Sequence, residues 1–214
     1  PSHNEAMTSA PATYQGVYGP YTVTAQHRQE VLFYRLSLLL LALAQAGLLI
    51  QWRQWGPGFC WPWLLLMGLG LGAALRWVHI YVRPLHRSLQ LFWLLGCLGA
   101  AVLAWRVGPT AILPTLVAQP LWIWAVGPFF AALAGLGFKE FFCFQRPEAI
   151  GLTLLLPLLL LGWLAGVLSP PIAATLLGLE SLLLLLLALR KFPMAPEADL
   201  GDLSVFAHLD ANRA

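Results

Sequence analysis

Six apolar runs, each long enough for a helix that crosses a bilayer, dominate this 214-residue sequence. About 20 apolar residues suffice for one crossing, because the hydrocarbon layer is ~30 Å thick and a helix rises ~1.5 Å per residue. Only 10% of the residues are charged, against about 25% in an average soluble domain. The pattern predicts an all-α polytopic membrane protein with a transmembrane domain over residues 28–192. The predicted spans are 28–52, 60–83, 88–106, 121–144, 149–168, and a sixth that follows Pro171 and ends near Lys191.

The segments outside the spans are short. Residues 1–27 form a polar N-terminal tail whose first dozen residues we expect to be disordered, and Thr24 is a predicted N-cap for the first span. Residues 193–214 form an acidic C-terminal tail. Leucine or phenylalanine recurs there every third residue from Leu200 to Leu209, which predicts a short amphipathic helix. That helix would dock on this protein's own cytoplasmic face or on a partner.

Positive charge and tryptophan mark opposite ends of the predicted bundle. Arginine and lysine favour the cytoplasmic side of a membrane protein, whereas tryptophan favours the interface. Both termini should therefore be cytoplasmic, or stromal in a plastid-type membrane. The end with the termini has Arg28, Arg35, Arg76, Arg83, Arg87, Lys139, Arg146, Arg190, Lys191 and Arg213, and the other end has Arg53 and Arg106. Near that second end lie Trp52, Trp55, Trp61, Trp63, Trp105, Trp122, Trp124 and Trp163, whereas Trp77 and Trp93 do not.

A polar cluster is predicted at the cytoplasmic mouth of the bundle, where FKEFFCFQRPE (138–148) ends the fourth span. Lys139 and Glu140 are adjacent, and adjacent positions of a helix do not face each other. We therefore expect each to reach water or a partner on another element. The candidate binding residues of this cluster are Arg76, His79, Arg83, Lys139, Glu140 and Arg146.

The second span ends in RWVHIYVRPLHR (76–87), which would place its basic side chains on one stripe of one helix. Three readings stay open for this stripe. It touches anionic lipid and fixes topology, it binds an anionic group or acidic partner, or His79 or His86 ligates a tetrapyrrole.

Two further charged residues are predicted to lie within the membrane, Glu180 in the sixth span and Arg35 in the first. A charge at that depth is costly and normally faces the bundle interior with a partner. Arg76 is the partner whose depth matches Glu180 best, and Arg35 is another. Glu180 is paired or protonated in one reading and serves a proton or ion relay in the other.

Small residues recur four apart within several spans, for example Gly96, Ala100 and Ala104. Such residues allow helix backbones to approach closely. They predict packing seams, and the sequence leaves open whether a seam faces a helix of the same chain or a second copy in a homo-oligomer.

The sequence lacks the motifs of several enzyme classes. It contains no H-E-x-x-H, no P-loop and no G-x-S-x-G. Three cysteines without a C-x-x-C pair argue against a disulfide framework. The sequence has no basic stripe with interleaved aromatic residues, so we expect no nucleic-acid partner. We therefore expect a protein that is not an enzyme and whose environment is the lipid bilayer.

Three strings, TYQGVYGPYTVT (13–24), QEVLFYR (29–35) and GFKEFFCFQRPEA (137–149), resemble a family of uncharacterised integral membrane proteins from cyanobacteria and plastids. The resemblance spans about residues 13 to 192. It implies a photosynthetic cell and a thylakoid or plasma membrane, and it assigns no functional residue. The leading expectation is an assembly factor or accessory subunit of a larger, photosynthetic membrane complex. The alternative is a transporter of a small solute or ion with Glu180 and Arg76 in its pathway.

Overall fold

The computed structural model describes residues 13–211, which contain two strands and nine α-helices. Strands β1 (Thr13–Gly16) and β2 (Gly19–Thr22) form an antiparallel hairpin in which Thr13 pairs with Thr22. The helices are α1 (Ala25–Trp55), α2 (Trp61–Trp77), α3 (Arg83–Val107), α4 (Ile112–Ala118), α5 (Ile123–Phe144), α6 (Pro147–Leu164), α7 (Pro170–Lys191), α8 (Pro196–Leu200) and α9 (Leu203–Ala211). The predicted disorder of the first dozen residues lies outside the described part of the chain.

Helix α1 begins where Thr24 satisfies its first free backbone N–H groups. The Thr24 hydroxyl accepts a hydrogen bond from the His27 N–H at 3.3 Å, and the His27 ring accepts one from the Thr24 N–H. This reciprocal pair is a capping box. The prediction that Thr24 caps the first span is confirmed.

The six longer helices pack as a closed ring. Helix α1 contacts α2 and α7, α5 contacts α3 and α6, and the ring is completed by the contacts of α2 with α3 and of α6 with α7. Helices α1 and α5 bury the largest share of their residues. The core between them is leucine-rich, with Leu41, Leu71, Leu133 and Leu156 each at most 1% exposed. Because lipid is as apolar as leucine, close packing rather than hydrophobicity holds such helices together.

Five of the described helices are long and apolar enough to cross a membrane by length and composition. They are α1, α3, α5 (counted from Pro120), α6 and α7. Helix α2 has 17 residues and is therefore about 25 Å long, less than the ~30 Å of the hydrocarbon layer. The prediction that residues 60–83 form one helix is wrong. Helix α2 ends at Trp77, Val78 is extended, and Pro84 lies in the first turn of α3.

The three-proline segment after α3 forms short α4 between two single turns of 3-10 helix, Pro109–Ala111 and Pro120–Trp122. Proline removes a backbone donor, so a continuous helix cannot form there. The segment is therefore divided into short helical turns.

The two tails meet at one end of the bundle and form what we call the cap, which comprises the hairpin (13–22), the α2–α3 connection (78–82), α8 and α9. The Val17 N–H donates to the Asp202 carboxylate at 2.7 Å, and the Tyr18 N–H donates to the Ser204 hydroxyl at 3.0 Å. Gly201, at φ +69°, separates α8 from α9. The predicted amphipathic helix of the tail is thus two helices, and they dock on the protein's own surface.

The small-residue seams of α2, α3 and α5 face helices of the same chain. A Cβ atom added at Gly96 of α3 would lie 2.7 Å from the Phe129 Cα of α5. Trp93 is also used for internal packing, because its indole N–H donates to the Gly68 carbonyl at 2.8 Å. This internal hydrogen bond explains why Trp93 does not lie with the tryptophans near the end of the bundle opposite the termini.

Gly96→Ala should destabilise the bundle, because the added methyl group forces α3 and α5 apart. Overpacking of this kind costs about 1–3 kcal/mol, and it should lower the Tm of the protein in detergent. Gly178→Ala is the matched control, since an added Cβ there meets no atom within 4 Å. Equal Tm values for the two variants would contradict the close α3–α5 contact.

Candidate functional site

Five charged side chains converge beneath the cap, and we call them the charge cluster. They come from four elements that the sequence separates widely, α1, α5, α7 and α8. Each is at most 6% exposed. The cluster consists of Arg35, Lys139, Glu140, Lys191 and Asp199.

Glu140 is the centre of the cluster. Its carboxylate accepts a hydrogen bond from the Tyr34 hydroxyl at 2.5 Å and contacts Lys139 Nζ at 3.1 Å. Its second oxygen lies 2.6 Å from Lys191 Nζ. A buried carboxylate needs this compensation, because desolvation of an isolated charge is costly.

Asp199 links the C-terminal segment to the membrane helices. Its carboxylate accepts a hydrogen bond from Arg35 Nε at 2.7 Å and pairs with Lys191 Nζ. The same Arg35 guanidinium donates to the backbone carbonyls of Met194 and Ala195 at 2.9 and 3.2 Å. Arginine suits this role, since its planar fork of donors can satisfy several acceptors at once. One buried side chain of α1 thereby fixes the whole turn between α7 and α8.

Two aromatic rings flank the lysines of the cluster. Lys191 Nζ lies 4.4 Å from the centroid of the Phe144 ring and 5.3 Å from that of Tyr34. Lys139 Nζ lies 5.1 and 5.5 Å from the same two centroids. Such cation–π contacts favour a charged lysine in a desolvated site.

The local sequence around Gln145 explains how Lys139 and Glu140 reach this position. Helix α5 ends because Gln145 adopts the left-handed conformation at φ 52°, and Pro147 then begins α6. Glu148, the last residue of the FKEFFCFQRPE motif, is buried and pairs with Arg190 of α7 at 3.0 Å. The motif therefore makes a tight helix–helix corner in which both carboxylates face α7.

The structure brings together only part of the predicted polar cluster. Lys139 and Glu140 belong to the charge cluster, and they contact each other although they are adjacent, which contradicts our expectation. Arg146 lies at the edge and donates to the Met194 sulfur at 3.0 Å.

The predicted basic stripe does not exist as one helical face, because α2 ends before His79. Arg76 is exposed, and its guanidinium lies 4.9 Å from the centroid of the Trp77 ring. Arg83 begins α3 and is partly buried.

His79 belongs to the cap and contacts Glu30 of α1 at 3.3 Å. Burial lowers the pKa of His79, an effect that nearby Lys139 and His27 reinforce and that the Glu30 carboxylate opposes. In the hinge between α8 and α9, the pKa of Asp202 is lowered by hydrogen bonds from the Ser204 hydroxyl and the Val17 N–H.

Glu180 pairs with neither predicted partner. Its side chain is fully buried and accepts a hydrogen bond from Gln45 of α1. One oxygen of Glu180 and the amide oxygen of Gln45 make no hydrogen bond within the described residues. The expected pairing of Glu180 with Arg76 or Arg35 is therefore wrong, since Arg76 stacks on Trp77 and Arg35 bonds Asp199.

A family model described as "Uncharacterized integral membrane protein (DUF2301)" matches residues 73–208. The chain belongs to this family. The match runs from α2 to α9 and includes Lys139, Glu140, Lys191 and Asp199. No curated protein and no solved structure matches the chain. The family description agrees with an integral membrane protein in a lipid bilayer.

Sequence reasoning missed Tyr34, Lys191 and Asp199 as members of the site. Lys191 counts among the cations that the sequence places at the end with the termini, and Asp199 belongs to the tail that is acidic in sequence. A signal is present in the sequence, because Arg35 is predicted to lie within the membrane, where a charge normally needs a partner. Nothing in the spacing indicated that the tail would supply it.

Glu140→Gln should loosen the cap. The variant keeps the size of the side chain but removes the negative charge between Lys139 and Lys191, and breaking a buried ion pair costs about 3–5 kcal/mol. We expect faster hydrogen exchange of residues 196–211 in detergent micelles.

Glu197→Gln is the control for that measurement. Glu197 pairs with Arg28 at 3.5 Å, and the Arg28 side chain is 54% exposed. Exposed pairs contribute about 0–1 kcal/mol, so exchange should change little. If hydrogen exchange of residues 196–211 is equally fast in the two variants, the charge cluster does not hold the cap.

Proposed function

We propose that this protein is a non-enzymatic membrane factor whose cap binds a larger membrane complex, during assembly or as an accessory subunit. The observation that supports this proposal is the charge cluster. Its members contact one another and the tail, so they fix the shape of the cap instead of facing a substrate. A binding surface that is ordered beforehand loses less conformational entropy when a partner docks.

The chemistry of the proposed partner follows from the exposed residues at the capped end. Arg76 and Arg87 are both exposed, and the positive-inside rule places this end in the cytoplasm or stroma. An acidic surface on the partner would complement these arginines, and such complementarity directs encounter and orientation. The resemblance to a family of cyanobacteria and plastids favours a photosynthetic complex in a thylakoid or plasma membrane.

The double variant Arg76→Ala, Arg87→Ala should reduce recovery of partner subunits when the tagged protein is isolated from its native membrane in gentle detergent. The matched control is Arg53→Ala, Arg106→Ala, which removes both cations of the opposite end. Mass spectrometry of the eluates measures the recovery. Equal recovery from both double variants, or a wild-type eluate without membrane-complex subunits, would contradict the proposal.

An absorption band in the same eluate that disappears in His79→Ala would support the tetrapyrrole hypothesis instead.

A transporter remains the second candidate, and the Glu180–Gln45 pair is the observation that favours it. Buried intramembrane carboxylates often serve ion or proton pathways. Arg76 does not contact Glu180, so such a pathway would use Gln45 instead.

Glu180→Gln separates the two candidate functions. It should leave partner recovery at the wild-type level if the cap is the functional site. Loss of proton or ion flux in proteoliposomes, with unchanged partner recovery, would favour the transporter, whereas lost partner recovery with unchanged flux would favour the assembly role.

A further inference from the structure

The end of the bundle opposite the cap contains a cavity of about 600 Å³ between α1, α4, α5, α6 and α7. This volume lies within the roughly 300–1,000 Å³ that is typical of pockets for small molecules. The cavity is separate from the charge cluster and from the proposed partner surface of the cap. Its walls are apolar, with Leu113, Phe130 and Leu156 as examples.

The cavity begins at the membrane interface and continues into the hydrocarbon layer. Trp52 and Trp163 line its outer part, and tryptophan prefers the interface. On α6 the lining extends from Trp163 to Leu156, and seven residues of helix correspond to about 10 Å of depth. This depth accommodates part of an extended hydrocarbon chain that lies along the helices.

Arg53 is the charged residue of the lining, and it lies in the last turn of α1. Its side chain is exposed, and we find no hydrogen-bond or ion-pair partner for it within residues 13–211. Arg106, the other cation near this end, instead stacks on Trp122 at 5.8 Å. An unpaired guanidinium above an apolar cavity has the chemistry of a phosphate contact, because its fork of donors matches phosphate oxygens.

We propose that this cavity binds one acyl chain of an anionic phospholipid, whose phosphate pairs with Arg53. The α7 side of the cavity is formed by Ala173, Ala174 and Gly178, and an added Cβ at Gly178 would meet no atom within 4 Å. The small residues thus leave room that the helices of this chain do not fill. Lipid is the solvent at this depth and supplies the occupant directly.

The test uses the full-length protein in nanodiscs that contain phosphatidylglycerol and phosphatidylcholine with identical chains in equal amounts. Native mass spectrometry measures which lipid stays bound after release from the nanodisc. We expect retention of phosphatidylglycerol to exceed that of phosphatidylcholine about fivefold, the preference that one arginine near a membrane surface supports. Excess inorganic phosphate should not displace the lipid, since the buried chain contributes most of the binding.

Two pairs of variants separate the headgroup contact from the chain contact. Arg53→Gln should abolish the preference for phosphatidylglycerol, whereas Arg106→Gln should keep it. Gly178→Leu fills the cavity and should reduce retention of both lipids, whereas Leu179→Phe, at an exposed position, should not. Because leucine is a better helix former than glycine, Gly178→Leu should not lower the Tm.

The proposal is overturned if the wild type retains both lipids equally, if Arg53→Gln keeps the preference, or if Gly178→Leu retains as much lipid as Leu179→Phe. Displacement by phosphate alone would also overturn it, because the site would then bind a free anion. None of these outcomes depends on the cap or on partner recovery, so they leave the proposed function unaffected.

Discussion

The contact between Arg35 and Asp199 is the interaction on which the capped end depends. It joins the first membrane helix to α8, and the same guanidinium binds the backbone of the turn between α7 and α8 at Met194 and Ala195. Lys191 then connects Asp199 to Glu140. Each charge is buried, so each is stable only while the others are in place. The tail is therefore required to complete the membrane domain.

The hairpin depends on this arrangement indirectly. Its turn binds Asp202 and Ser204, which follow Gly201 by one and three residues. The Tyr81 hydroxyl, from the α2–α3 connection, accepts a hydrogen bond from the Asp202 N–H at the same junction. Three segments that lie far apart in the sequence thus meet at one hinge. If Asp199 holds α8 in place, it also positions the hinge that holds the N-terminal hairpin.

The two ends of the bundle differ in the surroundings of their cationic side chains. Cations at the capped end are largely engaged, with Arg35, Lys139 and Lys191 buried among carboxylates and aromatic rings. The opposite end has two arginines, and Arg53 borders an apolar cavity instead of a carboxylate. The two ends therefore differ in chemistry, with buried ion pairs beneath the cap and an apolar cavity at the other end. Between them, Glu180 and Gln45 form a small polar island in the leucine-rich core.

The sequence alone determined the membrane class, the helix-rich architecture, the Thr24 cap and the approximate positions of five long helices, because hydrophobic length and capping are local properties. It also identified Arg35 and Glu180 as charges within the membrane, and Lys139 and Glu140 as members of a polar cluster at the mouth of the bundle. Tertiary structure decided which side chains pair with these charges. Arg35 contacts Asp199 and Glu180 contacts Gln45 because the packed helices bring together residues up to 164 positions apart. It also decided where α2 ends, since the segment after Trp77 contributes to the cap instead of extending the helix. Local patterns specify which charges need compensation, whereas only the folded chain specifies which side chains provide it.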